Sequence, residues 1–331
     1  MGLINMSVDR REGILVFGEV LMDLFLSDTH RKNGTRRLEC AGVLGGAPCN
    51  VAANLVTCGS KVFLISAFGD DAPGKEFYQM LVERGVNLDY SVCRELSKTA
   101  LAVVHSDGSG DNSFRIYLTD TALDELSIED LDQEVFNEVH WFHFGSVLMC
   151  LEKGQSITEY LVRRAAESDV VISCDINIRP NIVEDAKDHV QNFMDIIKWV
   201  DVLKISDEDF LWIKEQDLVP GLHSPKDLLG YGCKLIAWTH GSEGATLLTA
   251  EHEIPLAPPP DSVEDTTGAG DAFVTGLIHF LSTNGVRSRR ELETALQDQS
   301  LLEKAGQFAS ALSGQVISQI GAILELSNTR K

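Results

Sequence analysis

The chain has 331 residues, enough for one large domain or two small ones, and its 44% hydrophobic and 24% charged content is that of an ordinary globular protein. It carries 50 acidic residues against 28 basic ones, a formal net charge of -22 that repels phosphate backbones and anionic lipids and argues against nucleic-acid or membrane-surface partners. No stretch of 18 uncharged apolar residues is present, so a membrane-spanning helix is not expected either.

The amino-terminal stretch carries Asp9, Arg10, Arg11 and Glu12 and no apolar signal core. The seven cysteines are odd in number, form no Cys-x-x-Cys, and sit mostly among apolar or small neighbours. A reducing, cytoplasmic setting is the expectation. Residues 1–12 read as a tail, and Gly13 to Gly18 as the first strand. A polar stretch, Leu24 to Val43, follows. Asn50 to Cys58, after a glycine pair, is helical, Lys61 to Phe68 is a strand, and Lys75 to Arg84 is a helix closed by Gly85. Ala100 to Tyr117 reads as a hairpin, Leu101 to His105 and Ser113 to Tyr117, joined by the turn formers of Ser106 to Asn112. Then come helix Gln155 to Ser168, strand Val170 to Asp175, helix Ala186 to Trp199, and strands Val200 to Ile205 and Cys233 to Thr239. These strands are short and non-alternating, as strands buried on both faces are. Their alternation with helices predicts an α/β fold with a mostly parallel sheet between two helical layers, spanning residues 13–325 as a single domain. The stretches near 24–43 and 100–120 would form a small β lid, and 326–331 a second tail. In such folds ligands bind beyond the carboxyl ends of the strands, here Asp175 to Arg179, Lys204 to Asp209 and Thr239 to Gly244.

Two segments carry chemistry. In Asp265-Thr266-Thr267-Gly268-Ala269-Gly270-Asp271, small residues open an apolar helix. Their amides, with the helix dipole, make an anion site at Gly268, Ala269 and Gly270. A carboxylate beside such a site would repel phosphate, so the role predicted for Asp271 is to take a proton from an attacking hydroxyl. In the second segment, Gly45-Gly46-Ala47-Pro48-Cys49-Asn50, the glycines allow close backbone approach, and Asn50 offers a polyol a donor and an acceptor.

With both segments in this order, the chain resembles the PfkB, or ribokinase-like, carbohydrate kinases over nearly its whole length. The resemblance implies a ribokinase-like three-layer sandwich and transfer of the γ-phosphoryl of ATP, with Mg2+, to a hydroxyl of a small sugar. It places Asp271 as the catalytic base and the amides of Gly268, Ala269 and Gly270 as the anion hole. By the same resemblance, Asp23, Gly45, Gly46, Asn50, Asn177 and Arg179 meet the substrate. Lys204, Ser206, Thr239, Gly241, Gly244, Gly268 and Gly270 meet the nucleotide. Gly314 to Ala322 resembles a loop against adenine, with Asp265 and Thr267 beside a monovalent cation, K+. Lids in the family often pair between subunits, and the resemblance makes a homodimer through the lid compatible with this chain. The motifs Gly-Gly-Ala-Pro-x-Asn, His143 to Ser146 and Asp175 to Pro180 look most like fructokinases.

Departures fall on the metal and acceptor sides. Ser206-Asp207-Glu208-Asp209 stands where the family has Asn-x-x-Glu, leaving Asp209 to meet Mg2+ through water. Leu118 stands where an Arg is usual, Leu123 where an Asp is usual unless Asp124 serves, and Val183 where a Trp is frequent. The acceptor therefore stays open between fructose, ribose, 2-keto-3-deoxygluconate, an aminosugar and a nucleoside, and a non-catalytic sugar- or nucleotide-binding regulator is the rival from another class. Gly69 to Lys75 spells a near P-loop, but Glu76 follows where Ser or Thr is needed. His140, His143 and Cys49 read as structural.

Overall fold

The computed structural model describes residues 11–32, 35–106, 112–258 and 263–325. The tails, the tip of the predicted hairpin turn and most of the Pro-rich loop before Asp265 lie outside the described residues. In chain order the strands are β1 Gly13–Phe17, β2 Leu21–Lys32, β3 Thr35–Gly45, β4 Lys61–Ile65, β5 Ala67–Gly69, β6 Val92–Arg94, β7 Ala100–Ser106, β8 Asn112–Tyr117, β9 Val139–Gly145, β10 Val171–Asp175, β11 Val202–Ser206, β12 Leu235–Thr239, β13 Ala245–Leu248 and β14 Glu253–Leu256. The helices are α1 Ala47–Thr57, α2 Ala72–Arg84, α3 Ala122–Glu125, α4 Glu152–Glu167, α5 Ala186–Ile197, α6 Asp207–Glu215, α7 Ala269–Thr283, α8 Arg289–Ala295 and α9 Gln299–Ile317.

The central sheet has eight strands in the order β14-β13-β12-β11-β10-β9-β1-β4. From β4 to β12 every pairing is parallel, and β13 and β14 add an antiparallel edge. Alternate residues of each strand feed two cores. Leu15, Phe17, Phe142, Ile172 and Leu203 meet α4, α5 and α6 on one face. Ile14, Val16, Leu64, Trp141 and Val202 meet α1, α2, α7, α8 and α9 on the other. Burial on both faces is why these strands show no period of two. On the second face α7 lies so close to α9 that a Cβ on Gly276 would come within 2.5 Å of Ala309 Cα.

The predicted lid exists as a separate four-stranded sheet, β3-β2-β7-β8. It is larger than expected, because β2 starts at Leu21 and β3 runs to Gly45. Asp23 therefore sits on a lid strand, past the end of β1. The expected strand Lys61 to Phe68 is broken at Ser66. That residue's amide donates to Ser91 Oγ (3.2 Å) and its hydroxyl to the Gly18 carbonyl (2.8 Å), so the chain leaves the central sheet and Ala67–Gly69 pairs with β6. Gly85 closes α2 in the left-handed conformation, as predicted. Strand β9 hid in the sequence behind two histidines. His140 bonds Ser282 and His143 bonds Ser173 (2.9 Å), which lets both lie in the core. Burial, with the nearby Lys204 charge, lowers the His143 pKa to about 3, so it packs as a neutral ring. Among the described residues no helix is long and apolar enough to cross a membrane.

Candidate active site

Two clefts open beyond the carboxyl ends of the parallel strands. The smaller, about 340 Å³, is lined by Glu19, Asp23, Gly46, Asn50, Asn177 and Arg179, by Thr266 to Asp271, and under the lid by Phe25, Ala102, Val104 and Ile116. The larger, about 550 Å³, is lined by Lys204, Ser206, Glu208, Thr239, Gly241, Gly244, Phe273, Ser313 and Ile317, among others. Lys204, Thr266, Ala269 and Gly270 line both. The amino end of α7 is thus the wall where the two clefts meet.

The local sequence explains this junction. Gly268, the N-cap of α7, has φ 77°, and a Cβ there would come within 2.3 Å of Ala322 Cβ. The Ala269 amide turns back to the Thr266 carbonyl (3.3 Å) and the Ala272 amide closes the first helical bond, to Gly268. Among the described residues no carbonyl takes the amides of Gly268, Gly270 and Asp271, so of the three predicted donors only Ala269 is turned back, and Asp271 adds a further open amide.

Asp271 is buried, and its Oδ2 accepts a 2.8 Å hydrogen bond from Asn50 Nδ2. Burial raises its pKa, opposed by that bond and by the charges of Lys204 and Arg179. Asn50 is aimed by the glycine pair. Gly46 has φ 104°, and a Cβ there would strike the Glu19 carbonyl at 2.3 Å, so the chain turns sharply into α1. Gly45 does not line the cleft, but its backbone presses against Asp23, whose Oδ2 would be 2.1 Å from a Cβ there. Burial, and then the Asp271 charge, raises the Asp23 pKa to about 6. Asn177 holds φ 40°, a conformation Asn tolerates better than most side chains. Arg179 makes no ion pair among the described residues. Among the described residues its hydrogen bond goes to the Ile178 carbonyl at 3.3 Å, and the side chain lines the smaller cleft.

Behind the junction, β10 and β11 set Asp175 and Lys204 side by side, paired at 3.1 Å and both buried. Burial raises the Asp175 pKa to about 6 against the pull of Lys204. Burial alone would lower Lys204, but Asp175, Asp209 and Asp271 together raise it, so it stays charged. A Cβ on Gly270 would stand 3.0 Å from Lys204 Nζ, which puts the ammonium against the start of α7.

A model of the pfkB family carbohydrate kinases matches residues 11–329. The chain belongs to the pfkB family of carbohydrate kinases. It is therefore a sugar kinase, a transferase, and its three layers are the ribokinase-like fold. It is 29% identical over 319 residues to a probable fructokinase-5 of Arabidopsis thaliana, covering 94% of this chain and 93% of that protein. Identity to a fructokinase of Vibrio alginolyticus is 26% over 314 residues, 95% of each chain. Among solved structures it resembles an ATP-bound fructokinase of Xylella fastidiosa with a TM-score of 0.85, at 25% identity over 94% of each chain.

Several residues of this pfkB kinase do something other than the sequence predicted. Asp209 lines neither cleft. Its Oδ1 accepts from the Ile178 amide (2.8 Å) and its Oδ2 from the Ser206 amide (3.1 Å) and hydroxyl (2.9 Å), a capping box that anchors α6. Glu208 is the carboxylate of that segment that faces the larger cleft. Asp265 clamps backbone, taking the Thr267 amide at 2.9 Å and the Gly321 amide at 3.0 Å. Gly314 to Ile317 is the last turn of α9, not loop, and only the turn after it lies against Gly268. Leu118 points into the core and Asp124 caps the turn at Asp120 (3.1 Å), so neither meets the smaller cleft. The near P-loop is closed on itself, with Asp71 taking the amides of Gly74 (3.0 Å) and Thr99 (2.8 Å). Cys49 is buried, and burial pushes its thiol up, so it packs rather than reacts.

Two residues went unnoticed in the sequence. Glu19 is buried in the smaller cleft with its pKa raised to about 8, mainly by burial. Its signal was an acidic residue directly after an apolar strand. Asn54 donates to the Ala322 carbonyl (2.9 Å) and accepts from the Leu324 amide (2.8 Å), stapling the C-terminal turn to α1. Its signal was an Asn on the buried face of an Ala-rich helix.

Proposed function

We propose that this kinase moves the γ-phosphoryl of ATP onto a sugar hydroxyl, with the sugar in the smaller cleft, the nucleotide in the larger, and Asp271 as general base. One observation carries the reading: the two clefts share the wall formed by Lys204, Thr266, Ala269 and Gly270, and Asp271 stands on the sugar side of it. A hydroxyl and a phosphate bound on either side would face each other across a helix amino terminus, where negative charge is stabilised. Asp271, raised by burial, is a stronger base than a solvated carboxylate, and its bond to Asn50 orients Oδ2. Lys204 and the amides of Gly268, Gly270 and Asp271 counter the phosphoryl charge in transfer. Thr239, Gly241, Gly244 and Ser206 line the nucleotide's side.

Mg2+ bound with the nucleotide would neutralise phosphate charge. Among the described residues no group of three His, Cys, Asp or Glu is placed to hold a metal, which suits an ion carried by phosphates and water with Glu208 nearby. K+ would have to meet Asp265 through lone pairs left beside its two amide bonds. The exposed strands β3 and β8 edge the lid sheet and could pair with a second copy to give a homodimer.

The fructokinases among the relatives favour fructose as acceptor. The apolar roof of Phe25, Val104 and Ile116 keeps another hydroxyl compound as the second reading, such as ribose, 2-keto-3-deoxygluconate, an aminosugar or a nucleoside. The test is ADP release across that panel with ATP and Mg2+. Turnover that depends on one of these acceptors is expected, fructose first. Saturable sugar binding with no ADP release from any of them would instead support a non-catalytic binder.

A further inference from the structure

We propose that Glu19 binds the sugar directly, its Oε2 donating a hydrogen bond to a hydroxyl oxygen of the acceptor. The inference rests on the kinase reading above and adds a residue to it. Glu19 is 2% exposed and lines the smaller cleft beside Asp23, Asn50 and Asp271. Its two oxygens have different fates. Oε1 accepts from the Ala47 amide at 3.1 Å and so caps the start of α1. Among the described residues Oε2 is buried with no partner. Buried polar atoms are almost always partnered, and one left open in a ligand cleft marks where a ligand atom goes.

The chemistry of the cleft says which kind of atom. Asp23 and Asp271 present carboxylates, and Asn50 uses its amide nitrogen on Asp271 and leaves Oδ1 with no partner among the described residues. That side of the cleft is therefore rich in acceptors. A sugar hydroxyl has one proton to give and two lone pairs to satisfy. Arg179 can serve some of those lone pairs; Glu19 serves another if it carries a proton. Burial raises its pKa to about 8 and so favours the proton near neutral pH, opposed by its own backbone amide, the Ala47 bond and Arg179 and helped by the Asp271 charge. Holding the loop needs only Oε1, and a Gln would do that without burying an ionisable group. The second oxygen is the part with no structural use.

The test uses the full-length enzyme and the best acceptor of the panel above, with its monodeoxy analogues. Glu19→Met removes the donor at nearly constant volume, together with the Oε1 that accepts from Ala47. It should raise the acceptor KM about 10- to 100-fold and change the ATP KM less than about threefold, the range for losing one buried hydrogen bond. Glu19→Gln restores a donor and should recover most of that loss. For one monodeoxy analogue, wild type and Glu19→Met should become equivalent, because the hydroxyl that Glu19 meets is gone. An equal Glu19→Met penalty with every analogue would mean a loop support and would overturn the proposal. Should Glu19→Met fail to fold, the wild-type structure with acceptor and a non-hydrolysable ATP analogue decides. A hydroxyl oxygen within about 3.2 Å of Oε2 upholds the proposal, and an Oε2 with no sugar atom in reach overturns it. A wild type that phosphorylates no acceptor overturns the kinase reading and this proposal together. An active wild type whose acceptor KM ignores Glu19→Met overturns this proposal alone.

Discussion

Replacing Asn50 by Ala probes the base without touching it. The Asn50–Asp271 bond is 2.8 Å long and buried, and its acceptor is ionised in the working form. Bonds of that class contribute about 1.5–3 kcal/mol. This one favours the carboxylate, so losing it adds to the burial that already raises the Asp271 pKa. At about 1.4 kcal/mol per tenfold change, the acid limb of kcat should move up by about one to two pH units. The direction follows from the role: a base works deprotonated, so activity falls as pH drops through its pKa, and a higher pKa makes it fall sooner. The assay is ADP release at saturating sugar and ATP from about pH 5 to about pH 9, where the limb can be resolved. Acceptor KM should rise as well, because Asn50 lines the sugar cleft. A kcat lowered equally at every pH, with the acid limb unmoved, would refute the reasoning, because Asp271 would then not be the group whose proton limits turnover.

Glu19 should also leave a mark on stability. Its pKa goes from 4.5 to about 8 on folding, so the folded state holds a proton that the unfolded state releases, and stability is lost as pH rises through that window. Glu19→Gln removes this dependence. The variant should match wild type near the lower end and exceed it by an amount on the order of a few kcal/mol above the upper end, measured by urea unfolding. Parallel stability curves for the two proteins would show that Glu19 is not buried as described. Asn54→Leu breaks both bonds to the C-terminal turn, leaving the Ala322 carbonyl and Leu324 amide without them. A loss of about 1–3 kcal/mol is expected, and because that turn backs Gly268, which lines the smaller cleft, the acceptor KM should rise more than the ATP KM. The opposite split in KM would contradict the placement of Gly268 on the wall of the smaller cleft.

Much of this was legible in the chain before folding. Parallel strands advertise themselves as short apolar runs, and β1, β10, β11 and β12 were readable within about two residues of their limits. The run Asp265 to Asp271 combines small residues, a helix start and a carboxylate, and the junction of the two clefts falls on it. What escaped was set by tertiary partners. β9 became readable only once Ser173 and Ser282 were known to receive its histidines. Asp209 looked like a metal neighbour because it stands where the family's Asn-x-x-Glu has its Glu, yet the Ile178 amide, distant in sequence, draws its carboxylate into the core. Ser66 gave no sign that it would divert a strand, because the Ser91 hydroxyl that captures its amide comes from another element. Glu19 and Asn54 were visible as polar residues in apolar surroundings, but the direction each faces depends on loops folded over them.

The central claim is that Asp271 takes the proton from the acceptor hydroxyl. The most direct measurement is ADP release by Asp271→Ala with the best acceptor, alongside ATP binding by the same protein. The account predicts a rate lower by about 10²–10⁴ with ATP affinity nearly unchanged, because Asp271 lines the smaller cleft and not the larger. Turnover at the wild-type rate would contradict it.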